Sequence, residues 1–489
     1  MNRKKLTILH SNDMHGDFVA EAQGAEGHLI GGLSLLSGYL NQTRSTEPNV
    51  LYVIAGDMVQ GSLIDSEFKG ISTIELMNYL APDVVTLGNH ELDYGLPHLL
   101  FLERVANFPI VNANLYIRKY HKRLMQPYAV LNIDGLDIMF IGIITEAVLQ
   151  ALKSDQQIAS FISLEDASAE VGRICNAYKD EDIDLTVLLT HIGFDSDKQL
   201  AALLNPEWGV DLIIGGHSHT VLEQPVEING VLIVQAGVGT DQVGRFDLVV
   251  DDDTNSIVEW RWQLLPVDSR IAQPDPELQT FVDSYASIVD RKYSALLCRL
   301  DRKLTHPQRT VETELGNLLA DIFAQRADVD VMLLGSGAIR QKELGPVVTL
   351  GSLRTVFPYE DALHKLTITG EQLTRIFRHI MRPDNRTGEG ECFQVSSGVR
   401  AVYDDNAREL ESLSIGGNPV VPEDLYTIGL QGFHYRNSSA NVGLTADELI
   451  RARPGRVVTT SSREVLEEYL GSHQHLNSAI EGRLVYKNA

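Results

Sequence analysis

One stretch, residues 84–93, constrains the fold of this chain more than any other. It begins with the apolar, β-branched run VVTL, and after a glycine come four polar residues: Asn89, His90, Glu91 and Asp93. A buried strand that ends in a glycine turn with several ligand-type side chains indicates a site at the end of that strand. The stretch therefore predicts an α/β architecture with its functional residues at strand ends.

Four further apolar runs in the first half of the chain end in the same way. They cover residues 6–9, 50–55, 185–189 and 211–214, and the polar residues that follow them are Asp13, His15, Asp57, His191, His217 and His219. Ligands in open α/β sheets gather at the carboxyl ends of the strands. We therefore expect five strands to deliver these residues, together with Asn89, to one edge of one sheet.

These seven side chains comprise two carboxylates, one amide and four imidazoles, a set that suits two divalent metal ions. Asp57 is the candidate that spans both ions, about 3.5–4 Å apart. Mixed oxygen and nitrogen ligands without thiolate favour Mn, Fe or Zn over Ca, with Mg as an alternative. The pairs Asp13-x-His15 and His217-x-His219 are expected to lie on extended segments, where residues i and i+2 face the same side.

Each motif alone has a plainer interpretation. A single histidine after a strand is more often a core or loop residue, and an aspartate after a glycine is usually a turn residue. Gly-Asn-His-Glu is also compatible with a helix N-cap followed by an acidic first turn. Because five such motifs follow five strands in succession, the metal centre is the interpretation that accounts for all of them.

Composition excludes several classes of function. The formal net charge is −25, from 41 basic and 66 acidic residues. This charge argues against binding to nucleic acid or to an anionic membrane surface, although not against a phosphorylated substrate beside bound metal ions. The three cysteines are far apart and show no disulfide framework. The apolar run after the basic N-terminus is too short for a signal peptide. No apolar segment is long enough to span a membrane. We expect a cytoplasmic, soluble protein.

The chain has a composition break at the proline-rich residues 266–276. Strands alternate with helical patterns before it, including a helix at 29–41 and a hairpin of residues 128–133 and 136–144. We predict a first domain at residues 1–268, a linker helix within 269–300 and a second domain at 301–489.

Five segments resemble the calcineurin-like metallophosphoesterases: NDMHG at 12–16, GDMVQGS at 56–62, GNHELDYG at 88–95, THIG at 190–193 and GGHSH at 215–219. Their order and spacing, and the length of the chain, are similar to the bacterial 5′-nucleotidase / UDP-sugar hydrolase / 2′,3′-cyclic phosphodiesterase family. The resemblance implies a four-layer α-β-β-α catalytic sandwich, followed by a smaller α+β domain that binds the substrate and rotates on the linker helix.

The resemblance also implies a role for each residue. One metal takes Asp13, His15, Asp57 and His219, and the other takes Asp57, Asn89, His191 and His217. His90 stabilises the charge on the phosphoryl group and protonates the leaving alkoxide, while Asp93 orients His90. In the second domain, Arg340 is the implied substrate contact, and Tyr359 and Phe433 are the implied rings around the base.

The second domain departs from the family at three places. Gly335 stands where relatives carry Asn, residues 434–439 (HYRNSS) replace a Gly-Gly-Asp-Gly motif, and Val311 stands where relatives often carry Arg, with Arg309 close by. Phosphate release from nucleoside 5′-phosphates is therefore the predicted activity. A cyclic-nucleotide phosphodiesterase, a UDP-sugar or dinucleotide pyrophosphohydrolase and a nonenzymatic nucleotide binder stay open, as does the choice between monomer and homodimer.

Overall fold

A computed structural model describes residues 3–23, 27–117, 120, 122–145, 159–161, 163–386 and 391–488 of the protein. The chain divides into two units, Met1–Val289 and Asp290–Ala489, and the helix Pro276–Tyr293 crosses their boundary. This helix lies inside the predicted linker. The predicted limits of the domains stay predictions.

The first unit contains two six-stranded sheets. In the first sheet the order is Ser256–Pro266, Gln242–Asp251, Arg3–Ser11, Val50–Ala55, Val84–Thr86 and Ile110–Val111. The last four strands run parallel, and the other two are antiparallel additions at one side. In the second sheet the order is Val226–Ile228, Val231–Val234, Val210–Ile214, Leu185–His191, Leu136–Ile144 and Tyr128–Ile133, with a parallel centre and an antiparallel strand at each side.

The five strands that precede the predicted ligands divide between these two sheets. Arg3–Ser11, Val50–Ala55 and Val84–Thr86 belong to the first sheet, whereas Leu185–His191 and Val210–Ile214 belong to the second. The expectation of one edge of one sheet is therefore wrong. The carboxyl ends of the parallel strands in the two sheets nevertheless meet. A hydrogen bond of 2.8 Å joins them, from Nδ1 of His191 in the second sheet to the carbonyl oxygen of Ala55 in the first.

Side-chain alternation explains how one strand serves two hydrophobic cores. Ile138 and Phe140 face the first sheet and join the core between the sheets, while Met139 and Ile141 face the opposite side. Successive side chains of a strand point to opposite faces, so a strand covered on both sides is apolar throughout. This is why residues 138–144 (IMFIGII) form one continuous run without a polar residue.

Helices cover the outer faces of both sheets and complete the four-layer α-β-β-α sandwich, which confirms the predicted fold class. Leu33–Thr46 packs on the strand Val50–Ala55, and Leu164–Ala177 and Phe194–Leu203 bury apolar residues against the second sheet. The remaining helices of this unit are Leu63–Phe68, Ile71–Leu80 and Leu96–Val105, with short 3₁₀ turns at His90–Leu92 and Pro206–Trp208. Smaller strand groups are Glu21–Gln23 with His28–Ile30, and Leu115–Ile117 with Lys122–Arg123 and Ala159–Phe161.

The second unit is a mixed α+β domain, as predicted. Its five-stranded sheet has the order Phe393–Val395, Val331–Gly335, Leu425–Gln431, Leu363–Thr369 and Arg456–Thr459. A four-stranded sheet has the order Asn418–Pro419, Glu409–Ile415, Val399–Asp404 and Leu484–Lys487, and two strand pairs are Leu296–Arg299 with Val347–Thr349 and Leu304–Thr305 with Glu343–Leu344. Its helices are Glu314–Ala327, Leu350–Val356, Gly370–Ile380, Pro383–Arg386, Gly432–Arg436, Ser438–Asn441, Ala446–Ile450 and Ser462–Ser472, with a 3₁₀ turn at Ser336–Ala338.

Within the described ranges, no helix combines the length and the apolar character that crossing a bilayer requires.

Candidate active site

Two glycines allow three loops of the site to approach one another. A Cβ atom at Gly56, which has a φ of +79°, would lie 2.6 Å from Nδ1 of His191. A Cβ atom at Gly88 would lie 2.2 Å from Oδ1 of Asp57. Because any larger residue would push these loops apart, the glycines allow the ends of strands from different sheets to share one site.

Five of the seven predicted metal ligands have a left-handed backbone. The φ angles are 52° at Asp13, 50° at His15, 52° at Asp57, 80° at His217 and 52° at His219. The expectation that the Asp-x-His and His-x-His pairs are extended is therefore wrong. A non-glycine residue in this region costs about 1–3 kcal/mol and is retained mainly where function requires it, although Asp and His tolerate it better than most. Backbone strain of this kind is therefore present at five of the seven predicted ligands.

Three of the predicted ligands form one group of converging side chains. Nε2 of His219 lies 3.4 Å from Oδ1 of Asp13 and 3.1 Å from Nε2 of His15. The His15 ring is fixed by a hydrogen bond that its Nδ1 donates to the backbone oxygen of Gln60 at 3.0 Å. This bond leaves Nε2 of His15 free to face the group.

The other predicted ligands form a second group. Nε2 of His191 lies 3.0 Å from Oδ2 of Asp57 and 3.2 Å from Oδ1 of Asn89. Nδ1 of His217 lies 2.8 Å from the same Asn89 oxygen. Asp57 also lies 3.9 Å from Nε2 of His15, so its carboxylate is within reach of both groups, as its predicted bridging role requires.

The chemistry of these atoms fits a cation. Nδ1 of His191 donates to Ala55, so Nε2 of the neutral ring carries a lone pair that faces two oxygen acceptors. Converging acceptors repel one another unless a proton or a metal ion lies among them. Burial lowers the pKa of His191, but the hydrogen bond and charge of Asp57, with the charge of Asp13, raise it overall. A cation at this position, either a proton on Nε2 or a divalent ion, would satisfy these converging acceptors.

The predicted pair His90 and Asp93 is joined by a short hydrogen bond. Nδ1 of His90 donates to Oδ2 of Asp93 at 2.6 Å, and this bond is the main reason that the pKa of His90 is raised. The side-chain amide of Gln60 donates to the same oxygen at 3.2 Å. The His90 ring lies beside the His15 ring, with centroids 5.3 Å apart, which places the pair next to the ligand groups.

Glu91 is a site residue that the sequence interpretation missed. Its buried carboxylate accepts hydrogen bonds from four backbone N–H groups: those of Asp57 at 3.0 Å, Met58 at 2.7 Å, Val59 at 3.3 Å and Gly88 at 2.6 Å. It therefore holds the Asp57 loop against the Asn89 loop. The signal in the sequence is a carboxylate inside a ligand-rich turn, to which the metal-centre interpretation assigns no role.

Asn112 and Asn114 serve the backbone instead of lining a pocket. Asn114 donates to the oxygen of Ile144 and accepts from its N–H group, and Oδ1 of Asn112 accepts from the N–H of Leu115. Both side chains are buried.

The three predicted substrate contacts lie in the second unit. The guanidinium of Arg340 lies over the Tyr359 ring, 5.8 Å from its centroid. Tyr359 and Phe433 are both about half exposed, at 49% and 51%. Asp361 connects their segments, because its carboxylate accepts a 2.5 Å hydrogen bond from the N–H of Phe433. An arginine and two exposed rings are therefore available to a planar, anionic ligand.

The departure at Gly335 has a structural counterpart in His434. A Cβ atom at Gly335 would lie 2.2 Å from Cε1 of His434, whose buried ring occupies the space that a side chain at 335 would take. Nε2 of His434 lies 3.6 Å from Oε1 of Glu391. The sequence showed the change at Gly335 but not the residue that compensates for it.

The β sandwich and the carboxylate–imidazole centre at its edge define a class of metal-dependent phosphoester hydrolases. Comparison with known sequences agrees with this assignment. Residues 6–221 match the family described as calcineurin-like phosphoesterase, and residues 295–441 match the C-terminal domain of 5′-nucleotidase. The chain therefore combines a calcineurin-like phosphoesterase domain with the C-terminal domain of 5′-nucleotidase.

Individual relatives differ in how much of their length this chain covers. A 5′-nucleotidase of Vibrio parahaemolyticus is 27% identical over 99% of this chain and 92% of its own length. Endonuclease YhcR of Bacillus subtilis is 26% identical over 88% of this chain, which spans only 37% of the endonuclease. The crystal structure of a 5′-nucleotidase precursor from Thermus thermophilus shares the fold, with a TM-score of 0.65 at 24% identity over 99% of this chain and all of that one.

Proposed function

We propose that the protein releases phosphate from nucleoside 5′-monophosphates with the help of two divalent metal ions. One ion would be held by Asp13, His15, Asp57 and His219, and the other by Asp57, Asn89, His191 and His217. The observation that carries this proposal is the convergence of carboxylate oxygens and imidazole nitrogens into two groups that Asp57 connects. Manganese and zinc are the ions that this mixture of ligands favours.

When bound, the two ions would activate a water molecule and neutralise charge on the phosphoryl group. The residues of the chain position them. Asp13 is fixed by hydrogen bonds from the side chain of Asn12 at 2.7 Å and from the N–H of His217 at 2.9 Å. Oδ1 of Asp57 accepts from the N–H of His90 at 2.9 Å, so the bridging carboxylate and the His90 backbone are held together.

His90 would give a proton to the leaving alkoxide. Its Nδ1 is occupied by Asp93, which leaves the Nε2–H of the protonated ring for the substrate. Asp93 holds the ring in this orientation and stabilises its positive charge. Gln60 positions both a proposed metal ligand and the His90–Asp93 pair. Its backbone oxygen accepts a hydrogen bond from His15, and its side chain donates one to Asp93.

The preference for a nucleoside rests on the second unit. Arg340 would contact phosphate, and Tyr359 and Phe433 would stack on the base. The match of residues 295–441 to the 5′-nucleotidase C-terminal domain and the named activity of the Vibrio relative support this assignment.

A phosphodiester substrate is the second candidate, and the relative named as an endonuclease favours it. The net charge of −25 disfavours a nucleic acid, which makes a small diester such as a 2′,3′-cyclic nucleotide the better form of this alternative. The cytoplasmic location and the choice between monomer and homodimer stay predictions. The three free cysteines support the location.

The deciding experiment is product analysis on metal-stripped protein with Mn²⁺ or Zn²⁺ restored. The panel is AMP, UMP, a 2′,3′-cyclic nucleotide, UDP-glucose and NAD. Metal-dependent phosphate release from AMP or UMP is the expected result. Turnover of only the cyclic ester or the pyrophosphates would keep the metal centre and overturn the nucleotidase assignment, whereas metal binding without turnover would favour a nucleotide binder.

A further inference from the structure

Glu391 and His434 form a polar pair in the second unit that the proposed function does not use. His434 is 4% exposed, and neither of its ring nitrogens has a hydrogen-bond partner in the part of the chain that the structure describes. Glu391 lies 3.6 Å from Nε2 of His434, and its side chain is 24% exposed. Buried polar groups usually have partners, so an imidazole without one requires an explanation.

The position of Glu391 relates the pair to the predicted substrate contacts. A Cβ atom on Gly337 would lie 3.7 Å from Oε1 of Glu391, so the carboxylate stands over the turn Ser336–Ala338 that leads to Arg340. The His434 ring lies edge-on to the ring of Phe433, with centroids 5.3 Å apart. The pair therefore borders the half-exposed ring that we assign to the base.

The carboxylate of Glu391 can accept hydrogen bonds that the described part of the chain does not supply. An ionised carboxylate is an acceptor only, with two oxygens. Among the residues that the structure describes, none donates a hydrogen bond to the Glu391 carboxylate, and the ring of His434 lies 3.6 Å from it. Since the side chain reaches solvent, a donor on a ligand that lies against Phe433 could replace the water that solvates the carboxylate.

We infer that Glu391, which stands beside the buried His434 ring, recognises hydrogen-bond donors on the leaving group of the substrate. This inference rests on the proposed function, because it specifies how the nucleoside is read. Either the sugar hydroxyls or an amino group of the base could supply such donors. A substrate whose leaving group offers no donor, such as p-nitrophenyl phosphate, would form no hydrogen bond with Glu391.

The test measures binding of adenosine by calorimetry to the full-length wild type, Glu391→Gln and Glu423→Gln. Adenosine carries no phosphate, so its binding does not depend on hydrolysis. Glu423 is an exposed carboxylate of the same unit and serves as the matched control. Loss of a hydrogen bond to a charged group lowers affinity by about 10- to 100-fold. We expect Glu391→Gln to lose adenosine affinity by this factor. The control should stay within about twofold of the wild type on the same scale.

Two further ligands identify the donor. If the wild type and Glu391→Gln bind 2′,3′-dideoxyadenosine equally well, the donor is a sugar hydroxyl; if they bind inosine equally well, it is the amino group. A loss of the same size for all three nucleosides would overturn the inference, because Glu391 would then act on neither source. Equal adenosine binding by Glu391→Gln and the wild type would also overturn it, as would no adenosine binding to the wild type.

Hydrolysis then separates this inference from the proposed function. The kcat/KM for AMP should fall in Glu391→Gln by the same factor as adenosine affinity, while that for p-nitrophenyl phosphate should not change. An equal fall for both substrates would overturn the inference. If the wild type binds adenosine through Glu391 but does not hydrolyse AMP, the inference stands and the nucleotidase assignment fails.

Discussion

At the scale of single residues, the site depends on side chains whose two polar atoms have different partners. One oxygen of Asp57 lies 3.0 Å from His191, and the other accepts from the backbone of His90. One nitrogen of His15 holds the Gln60 carbonyl, and the other faces His219. A substitution at such a position therefore affects both the loop geometry and the ligand set.

Replacing Asp57 by Asn should abolish activity. Removal of groups that merely support a metal ligand costs about 10- to 100-fold, so loss of a shared ligand should lower kcat/KM by at least about 100-fold. The check combines phosphate release with metal content by mass spectrometry. Asp195→Asn, at a carboxylate with an 88% exposed side chain, is the control. Near-normal turnover in Asp57→Asn would rule out the bridging role.

Replacing His90 by Gln should separate catalysis from metal binding. His90 stands beside the ligand groups without being one of the proposed ligands, so the variant should retain its metal while kcat falls by about 100-fold or more, the range of general acid catalysis. The measurement compares the metal content and the kcat of the variant with those of the wild type, both determined on the same sample. Loss of metal together with activity would move His90 from the role of proton donor to that of ligand.

Replacing Glu91 by Gln should destabilise the protein. One oxygen remains an acceptor, but the new amide group faces two backbone N–H groups, and each buried donor left without a partner costs about 1–3 kcal/mol. We expect the free energy of unfolding of the first unit to fall by about 2 kcal/mol or more, as measured by urea unfolding. Glu207→Gln, at an exposed position, is the control. An unchanged unfolding curve would show that the four hydrogen bonds are dispensable.

At the scale of elements, the hairpin of Tyr128–Ile133 and Leu136–Ile144 has the predicted bounds, because two apolar runs and an Asp-Gly turn mark both its strands and its connection. The helix predicted at 29–41 lies instead at Leu33–Thr46. Gly31 and Gly32 have positive φ and delay its start. Its last turn is polar and is supported by hydroxyls, such as that of Thr46, which bond the preceding backbone, so apolar spacing did not reveal it.

Two helical glycines should respond in opposite ways to alanine. A Cβ atom at Gly172 would lie 2.3 Å from the Trp208 ring, whereas one at Gly471 would meet nothing within 4 Å. We expect Gly172→Ala to lower the free energy of unfolding by about 1–3 kcal/mol through overpacking. Gly471→Ala should raise it by about 0.5 kcal/mol through better helix propensity. Denaturant unfolding of both variants checks the pair, and a gain at Gly172 would show that Trp208 moves freely.

At the scale of the molecule, each unit carries one part of the proposed function. All seven proposed ligands and the His90–Asp93 pair lie in the first unit, while Arg340, Tyr359 and Phe433 lie in the second. The sequence predicted that the seven proposed ligands would lie close together, because each of them follows an apolar run. It did not predict how the strands would divide between two sheets, since alternation within a strand reveals its faces but not its neighbours.

This division predicts the effect of Tyr359→Ala. Stacking of a base on an aromatic ring contributes about 1–3 kcal/mol, so KM for AMP should rise by about tenfold or more. The KM for p-nitrophenyl phosphate, which has no base, should change little. Steady-state kinetics with both substrates measures the contrast, and Phe101→Ala, at a ring of equal exposure in the first unit, is the control. Equal effects on both substrates would remove Tyr359 from the base site.

The contact between Gly335 and His434 also limits the order in which this protein can change over evolutionary time. With His434 in place, a Cβ atom at position 335 would lie 2.2 Å from its ring, so a substitution there would destabilise the domain unless the ring moved. A lineage must first exchange His434 for a smaller residue, and only then can position 335 gain an amide. The two positions should therefore vary together among descendants, because each substitution changes the space that is available to the other.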